Sequence, residues 1–319
     1  MIFVGFGFLM VFLKNNSLCS VGFNYLIACW AIQIAILFTG FWHNIVDFYH
    51  DPNHEWKKIE LSVKYMILGD FAAGAVLISF GAVLGKVSLF QLWAMATLEV
   101  FFYCMNEAIV VEILKIYDIG GSIVIHVFGA FFGLSVCLFY QGEDAIKDKA
   151  GLNIGNYLSD LVSMIGTLFL YAYWPSFNAA LGSGTYIQRA TINTYLAIAC
   201  SCIASIVVSK LVHHGKLNME IVLNASVSGG VAVGSAADLI TSPAGAMIAG
   251  FITGCISANG FAFLSPFVKK HLVLHDTCGV FNLHAIPGVI GALISAIVAS
   301  RVGETFGDNI VDGGYTDAA

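Results

Sequence analysis

Two aspartates and two histidines stand out in a chain that is otherwise short of polar residues. Asp118 is followed by Gly121, His126 and Gly133, and Asp276 is followed by Gly279, His284 and Gly291. Both sets fit the frame D-x2-G-x4-H-x6-G. Imidazole changes charge near neutral pH, and in its neutral form it offers one nitrogen as donor and the other as acceptor. A pair of imidazoles can therefore hold a small polar molecule, relay a proton or ligate a metal. Each aspartate stands where an apolar helix begins, the position at which a carboxylate accepts backbone N–H bonds and complements the helix dipole. Asp118 and Asp276 thus read as helix caps in their own right, and a cap can hold a site-bearing helix in register. The plainer reading of His126 and His284 is a satisfied core pair that ties two helices together.

Composition defines the elements that must carry these residues. Of 319 residues, 58% are hydrophobic and 11% are charged, and the mean hydropathy is +0.84. Soluble domains carry about a quarter charged residues, so a soluble enzyme, a disordered tail and a secreted disulfide scaffold are excluded together. The net charge of −6 leaves no basic stripe for a nucleic acid. Cys29, Cys104, Cys137, Cys200, Cys202 and Cys255 lie inside apolar runs and form no C-x-x-C pair. They read as free thiols packed like small hydrophobes, with no metal or cofactor implied. What remains is an all-α polytopic membrane protein that is not an enzyme.

A spanning helix needs about 20 mostly apolar residues. Ten such runs are expected, near 1–13, 21–42, 63–85, 88–112, 120–140, 159–182, 190–212, 221–240, 243–266 and 280–300. The two copies of the frame open the fifth and tenth runs, which cross the bilayer in opposite directions. That is the signature of an inverted-topology repeat of five plus five helices. Each histidine follows its aspartate by eight residues, roughly 12 Å at the rise of an α-helix. Half the hydrocarbon is about 15 Å thick, so two helices entering from opposite faces bring both imidazoles near the midplane. An intramembrane histidine is costly in lipid and marks a site by default.

Loop charges give the orientation. Lys14, Lys86, Lys147, Lys149, Lys210, Lys216, Lys269 and Lys270 fall in odd-numbered loops, against Lys57, Lys58, Lys64, Lys115, Arg189 and Arg301 on the other side. The bias puts the N-terminus outside and the Asn15-Asn16-Ser17 sequon on the cytoplasmic side. The first run starts at Met1 with no basic segment or cleavage motif, which reads as upstream sequence lost rather than as a signal peptide. Residues 1–301 form the expected transmembrane domain. Residues 302–319, with Glu304, Asp308, Asp312 and Asp317, read as a polar acidic tail.

Four segments carry a family likeness: Asp118-x7-His126, His284-Ala-Ile-Pro-Gly, Tyr173-Trp-Pro-Ser-Phe177-Asn178 and Phe3-Val-Gly-Phe-Gly-Phe8. Together they resemble the Rh glycoprotein branch of the Amt/MEP/Rh ammonium transporters, over almost the whole chain. The resemblance implies homotrimers in the plasma membrane, each protomer enclosing a narrow hydrophobic pore for ammonium or ammonia. It implies twin pore histidines at His126 and His284, and a phenylalanine gate at the outer mouth on Phe71 and Phe177, with Asn178 following. Asp118 matches the family aspartate of the pore helix, and Trp174 an aromatic beside the gate. Asp70, just before the gate, is a candidate for drawing cations into the vestibule, and Asp276 is expected to be a structural cap. Relative to the family pattern, a helix before the first run and one after the tenth are expected to be missing.

Passage is expected as neutral ammonia without net charge. Other readings are a non-conducting Rh-like structural subunit of a membrane complex, a carbon dioxide channel, and a bis-histidine haem protein. Glu99 lies deep in the fourth run and calls for an interior partner, whereas Glu107 and Glu112 are expected to be interfacial and solvated.

Overall fold

Short polar side chains mark where the apolar runs turn into helices. The Ser62 hydroxyl accepts from Tyr65 N at 3.4 Å, and Ser88 and Gln91 form a reciprocal capping box with bonds of 3.3 and 2.9 Å. Asn156 and Ser159 make a second box, and Asn218 accepts from Ile221 N. Each satisfies backbone donors that a helix start leaves open, and replacing such a cap costs about 1 kcal/mol.

The computed structural model describes residues 2–13, 18–140, 155–301, 310–311 and 314–315. Among them are ten helical segments, which we number in chain order: α1 (Ile2–Phe12), α2 (Cys19–His50), α3 (Val63–Val83), α4 (Leu89–Ile113), α5 (Ser122–Phe139), α6 (Tyr157–Asn178), α7 (Gly184–Val212), α8 (Met219–Gly234), α9 (Pro243–His271) and α10 (Phe281–Ala299). They coincide with the ten apolar runs. Seven of them are long and apolar enough to cross a bilayer, and α1 and α8 are shorter apolar helices. α8 is broken between Ala225 and Ser228. A two-residue antiparallel ladder pairs Ile310–Val311 with Gly314–Tyr315. Lys14, the Asn15-Asn16-Ser17 sequon, Lys147, Lys149, Glu304, Asp308, Asp312 and Asp317 lie outside the described residues.

The packing repeats itself across the two halves. α2 lies on α3 and α4, and α7 lies on α8 and α9 in the same way. α3 meets α5 as α8 meets α10, while α1 against α6 and α5 against α10 join the halves. Wide π-turns recur at matched places: at Ala108–Ile113 in α4 and Gly260–Leu264 in α9, and at the starts of α5 (Ser122–Val127) and α10 (Phe281–Ala285). Such turns concentrate at functional sites. The architecture is the five-plus-five inverted repeat.

The glycines at the end of the shared frame allow the crossings. A Cβ at Gly133 would sit 2.6 Å from Ser79 Cα of α3, and one at Gly291 would sit 2.9 Å from Ala232 O of α8. α3 and α8 are buried on all sides over most of their length, whereas α2, α4, α7 and α9 turn large apolar side chains outward. Leu26 and Leu37 on α2, Leu98 and Phe102 on α4, and Ile248 and Ile252 on α9 are examples, and together they form an apolar outer surface suited to lipid or to a neighbouring copy.

Candidate functional site

The site is built outward from two glycines. Gly121 and Gly279 both take left-handed backbone angles, φ +72° and +68°, a conformation that glycine enters at little cost. The turn lets each aspartate bend back over the helix it opens. Asp118 Oδ2 accepts from Ile123 N at 2.9 Å and from Val124 N at 2.8 Å, and Asp276 Oδ2 accepts from Phe281 N at 2.8 Å. The hydroxyl of Ser235, beyond the end of α8, donates to Asp118 Oδ1. Both oxygens of Asp118 are thus engaged by the protein, and its influence on the pore helix runs through that helix's first turn.

Past each cap, the π-turn carries its histidine inward. His126 Nδ1 and His284 Nδ1 lie 3.1 Å apart, with ring centroids 5.1 Å apart and planes within 7° of parallel. Both are buried, at 1% and 2% exposure. A nitrogen–nitrogen hydrogen bond needs one donor and one acceptor, so one proton is shared and the two rings hold complementary tautomers. Their Nε2 atoms then carry opposite roles, one N–H donor and one bare acceptor. Ligation of one metal by both Nδ1 atoms from opposite sides, as the bis-histidine haem reading asks, would need about 4 Å, two bonds of ~2.0–2.1 Å end to end. The observed contact is too short for that and disfavours the bis-histidine haem reading.

Aromatic rings flank the pair with the symmetry of the repeat. Trp174 of α6 stacks on His126 at 5.6 Å and 21°, and Phe6 of α1 stacks on His284 at 5.9 Å and 30°. On one side stand Phe71 and Phe177, with ring centroids 4.7 Å apart, and Phe177 is 6.4 Å from His126. On the other side a cavity of about 20 Å³ reaches from His284 past Leu77 and Ile78 to Val280 and Cys278. A wider pocket of about 580 Å³, with Glu220, Lys269 and Asp276 among its walls, opens toward the face where α10 begins. The imidazole pair therefore sits between an aromatic pair and a small, mostly apolar cavity.

The remaining predicted residues are distributed around this line. Asn178 is fully buried, and its amide donates to Thr194 Oγ1 at 3.0 Å and Gly230 O at 2.9 Å, tying α6 to α7 and α8 directly after Phe177. Asp70 is half-buried beside Phe71 on α3. Glu99 has an interior partner, the hydroxyl of Ser79 at 2.5 Å. Glu107 departs from expectation: it is buried at 8% exposure and faces His43 Nε2 at 3.4 Å. It ends the regular part of α4, just ahead of the π-turn, on the side that faces α2 rather than solvent. Glu112 stays accessible and pairs with Lys115 at 3.7 Å. Phe6 escaped the sequence reading because phenylalanine is abundant. Mapping Trp174 onto the first half through the repeat would have found it.

Fold and site together define a class: a multi-pass helical membrane protein whose two inverted halves each contribute one histidine to a buried, aromatic-lined pair. The chain belongs to the Ammonium Transporter Family, whose model matches residues 1–317. It is 46% identical to the ammonium transporter Rh type C of Canis lupus familiaris over 94% of this chain and 64% of that protein. To the Rh type B protein of Danio rerio it is 45% identical over 100% of this chain and 68% of that one. The chain thus spans about two thirds of the length of these relatives. Among solved structures, Nitrosomonas europaea Rh50 superposes with a TM-score of 0.81 at 31% identity, covering 100% of this chain and 86% of that one. Saccharomyces cerevisiae Mep2 shares the fold, with a TM-score of 0.76 at 19% identity over 100% of this chain and 76% of Mep2.

Proposed function

We propose that the chain carries ammonium nitrogen across a membrane as neutral ammonia, past the imidazoles of His126 and His284. The observation that carries this reading is the buried 3.1 Å Nδ1–Nδ1 contact between the Phe71–Phe177 pair and a small, mostly apolar cavity. A cation at the bilayer centre costs at least about 2.5–3.5 kcal/mol, and the phenylalanine pair has no counter-charge to offer. The faces of Phe71 and Phe177 can attract an ammonium ion for about 0.5–2 kcal/mol, enough to gather it at the outer mouth with help from Asp70. The ion gives its proton to bulk water at that mouth, and the proton stays on that side. Ammonia, both donor and acceptor, then exchanges its lost water contacts for the complementary Nε2 atoms of the imidazole pair. Asp118 and Asn178 act by fixing the helices that bear His126 and Phe177.

In this reading residues 1–301 are the transporting domain, the 302–319 segment is an appended tail, and the working unit is a homotrimer in the plasma membrane. Three copies are the expected mass of the detergent-solubilised protein. The relatives' names, ammonium transporters Rh type C and type B, support the substrate assignment. The test records current and internal pH together on reconstituted full-length chain during an ammonium step. Alkalinisation without an ammonium-evoked current is expected. A current that follows ammonium and voltage contradicts electroneutral passage.

A further inference from the structure

Glu99 plays no part in the transport path described above, yet it is fully buried in the middle of α4. Its Oε1 lies 2.5 Å from Ser79 Oγ of α3, and that same hydroxyl lies 2.7 Å from Gly129 O of α5. Oε2 has no hydrogen-bond partner, and the Tyr103 hydroxyl one turn along α4 is likewise buried without one. None of the ion pairs among the described residues reaches Glu99.

Donor counting decides what this cluster is. A serine hydroxyl has one proton and can donate one bond. Gly129 O, a carbonyl, can only accept, so the contact at 2.7 Å takes the Ser79 proton. The contact between Ser79 Oγ and Glu99 Oε1 then needs a second proton, and only the carboxyl can supply it. A carboxylate there would set two acceptors against each other and leave a buried charge with one oxygen unpartnered, an arrangement proteins avoid. As the neutral acid, Oε1–H donates to Ser79, Ser79 donates to Gly129 O, and Oε2 is an ordinary carbonyl oxygen.

We propose that Glu99 is held as the neutral carboxylic acid, and that its proton closes a three-helix latch from α4 through Ser79 to the α5 backbone three residues beyond His126. Glu99 is then a positioning residue. α3 carries Phe71 and α5 carries His126, and the latch sets the offset between aromatic constriction and imidazole. The protonation state stands whether or not the pore conducts; the positioning role rests on the transport reading above.

The experiment is an infrared difference spectrum, at neutral pH, between the full-length chain and Glu99→Gln, both reconstituted in lipid. Loss of the carbonyl stretch of a protonated carboxylic acid is expected in Glu99→Gln, with the carboxylate bands unchanged. In Ser79→Ala that stretch is expected to persist and move to higher frequency, because its hydrogen-bond acceptor is gone. The glutamine amide supplies a donor in the same shape, so Glu99→Gln is expected to fold and to match the unsubstituted ammonia flux, while Glu99→Ala loses it. Loss of carboxylate bands in place of the acid carbonyl overturns the protonated state. A Glu99→Gln chain that fails to fold does so too, since it retains every bond of the latch. The acid carbonyl signal together with flux unchanged in Glu99→Ala leaves the protonation in place and overturns the positioning role.

Discussion

At the scale of single residues, several buried polar groups make hydrogen bonds that fix geometry. The imidazole pair is the clearest case. Replacing His284 with alanine leaves His126 Nδ1 without its partner at 3.1 Å, and an unsatisfied buried polar group costs about 1–3 kcal/mol. His284→Ala is therefore expected to fold with a lowered melting midpoint and an altered ammonia flux, read by thermal denaturation and by flux on the same preparation. Asp118 makes a different prediction. Its carboxylate accepts two backbone N–H groups and the Ser235 hydroxyl, so Asp118→Ala orphans three donors at once. The expected result is a loss of stability larger than that of an ordinary cap, above about 2 kcal/mol, seen as a fall in folded yield and melting temperature. Asp118→Asn keeps one accepting oxygen and is expected to fall between the two.

At the scale of elements, what holds the site is the crossing of α5 on α3 and its mate, α10 on α8. Gly133 and Gly291 stand at these crossings, and a methyl group at Gly133 meets backbone of α3 at 2.6 Å. Overpacking of this kind costs about 1–3 kcal/mol. Gly133→Ala is expected to lower the melting temperature and to shift α5, changing flux even though no pore-lining group is altered. An unchanged melting temperature would show that the crossing has slack.

The same crossings show how far the sequence reaches. The ten apolar runs and the repeat of Asp118 and His126 in Asp276 and His284 were legible, because lipid demands length and hydrophobicity and symmetry doubles the signal. The break in α8 at Ser226–Val227 and the π-turns that contain both histidines were not. They arise from packing between helices that are distant in sequence, and local residue types do not announce them. The same holds for Glu99, whose cost in lipid was legible, whereas its bond to Ser79, 20 residues away, was not. The burial of Glu107 against His43 went unread because it depends on a contact with a residue 64 positions away.

At the scale of the whole molecule, two halves of opposite orientation meet at one point, and the consequences follow from that meeting. Each half contributes an aspartate-capped helix, a histidine and an aromatic that stacks on the other half's histidine-bearing helix. Trp174 of the second half covers His126 of the first, and Phe6 of the first covers His284 of the second. The centre is thus assembled only when both halves fold together. The outer surface of α2, α4 and α9 is apolar and accessible, suited to lipid and to contact between copies. On the proposed reading the route has the Phe71–Phe177 pair on one side, a small and mostly apolar cavity on the other, and a hydrogen-bonding station in the middle. Such a route suits a small neutral molecule that both donates and accepts.

The measurement that tests this most directly is internal pH in proteoliposomes, followed by stopped flow after an ammonium step. It compares the full-length chain with His126→Ala, His284→Ala and protein-free vesicles. Alkalinisation faster than bare lipid, and altered by either substitution, is the predicted result. A folded, trimeric preparation that alkalinises no faster than bare lipid would contradict the account and make the chain a non-conducting member of its family.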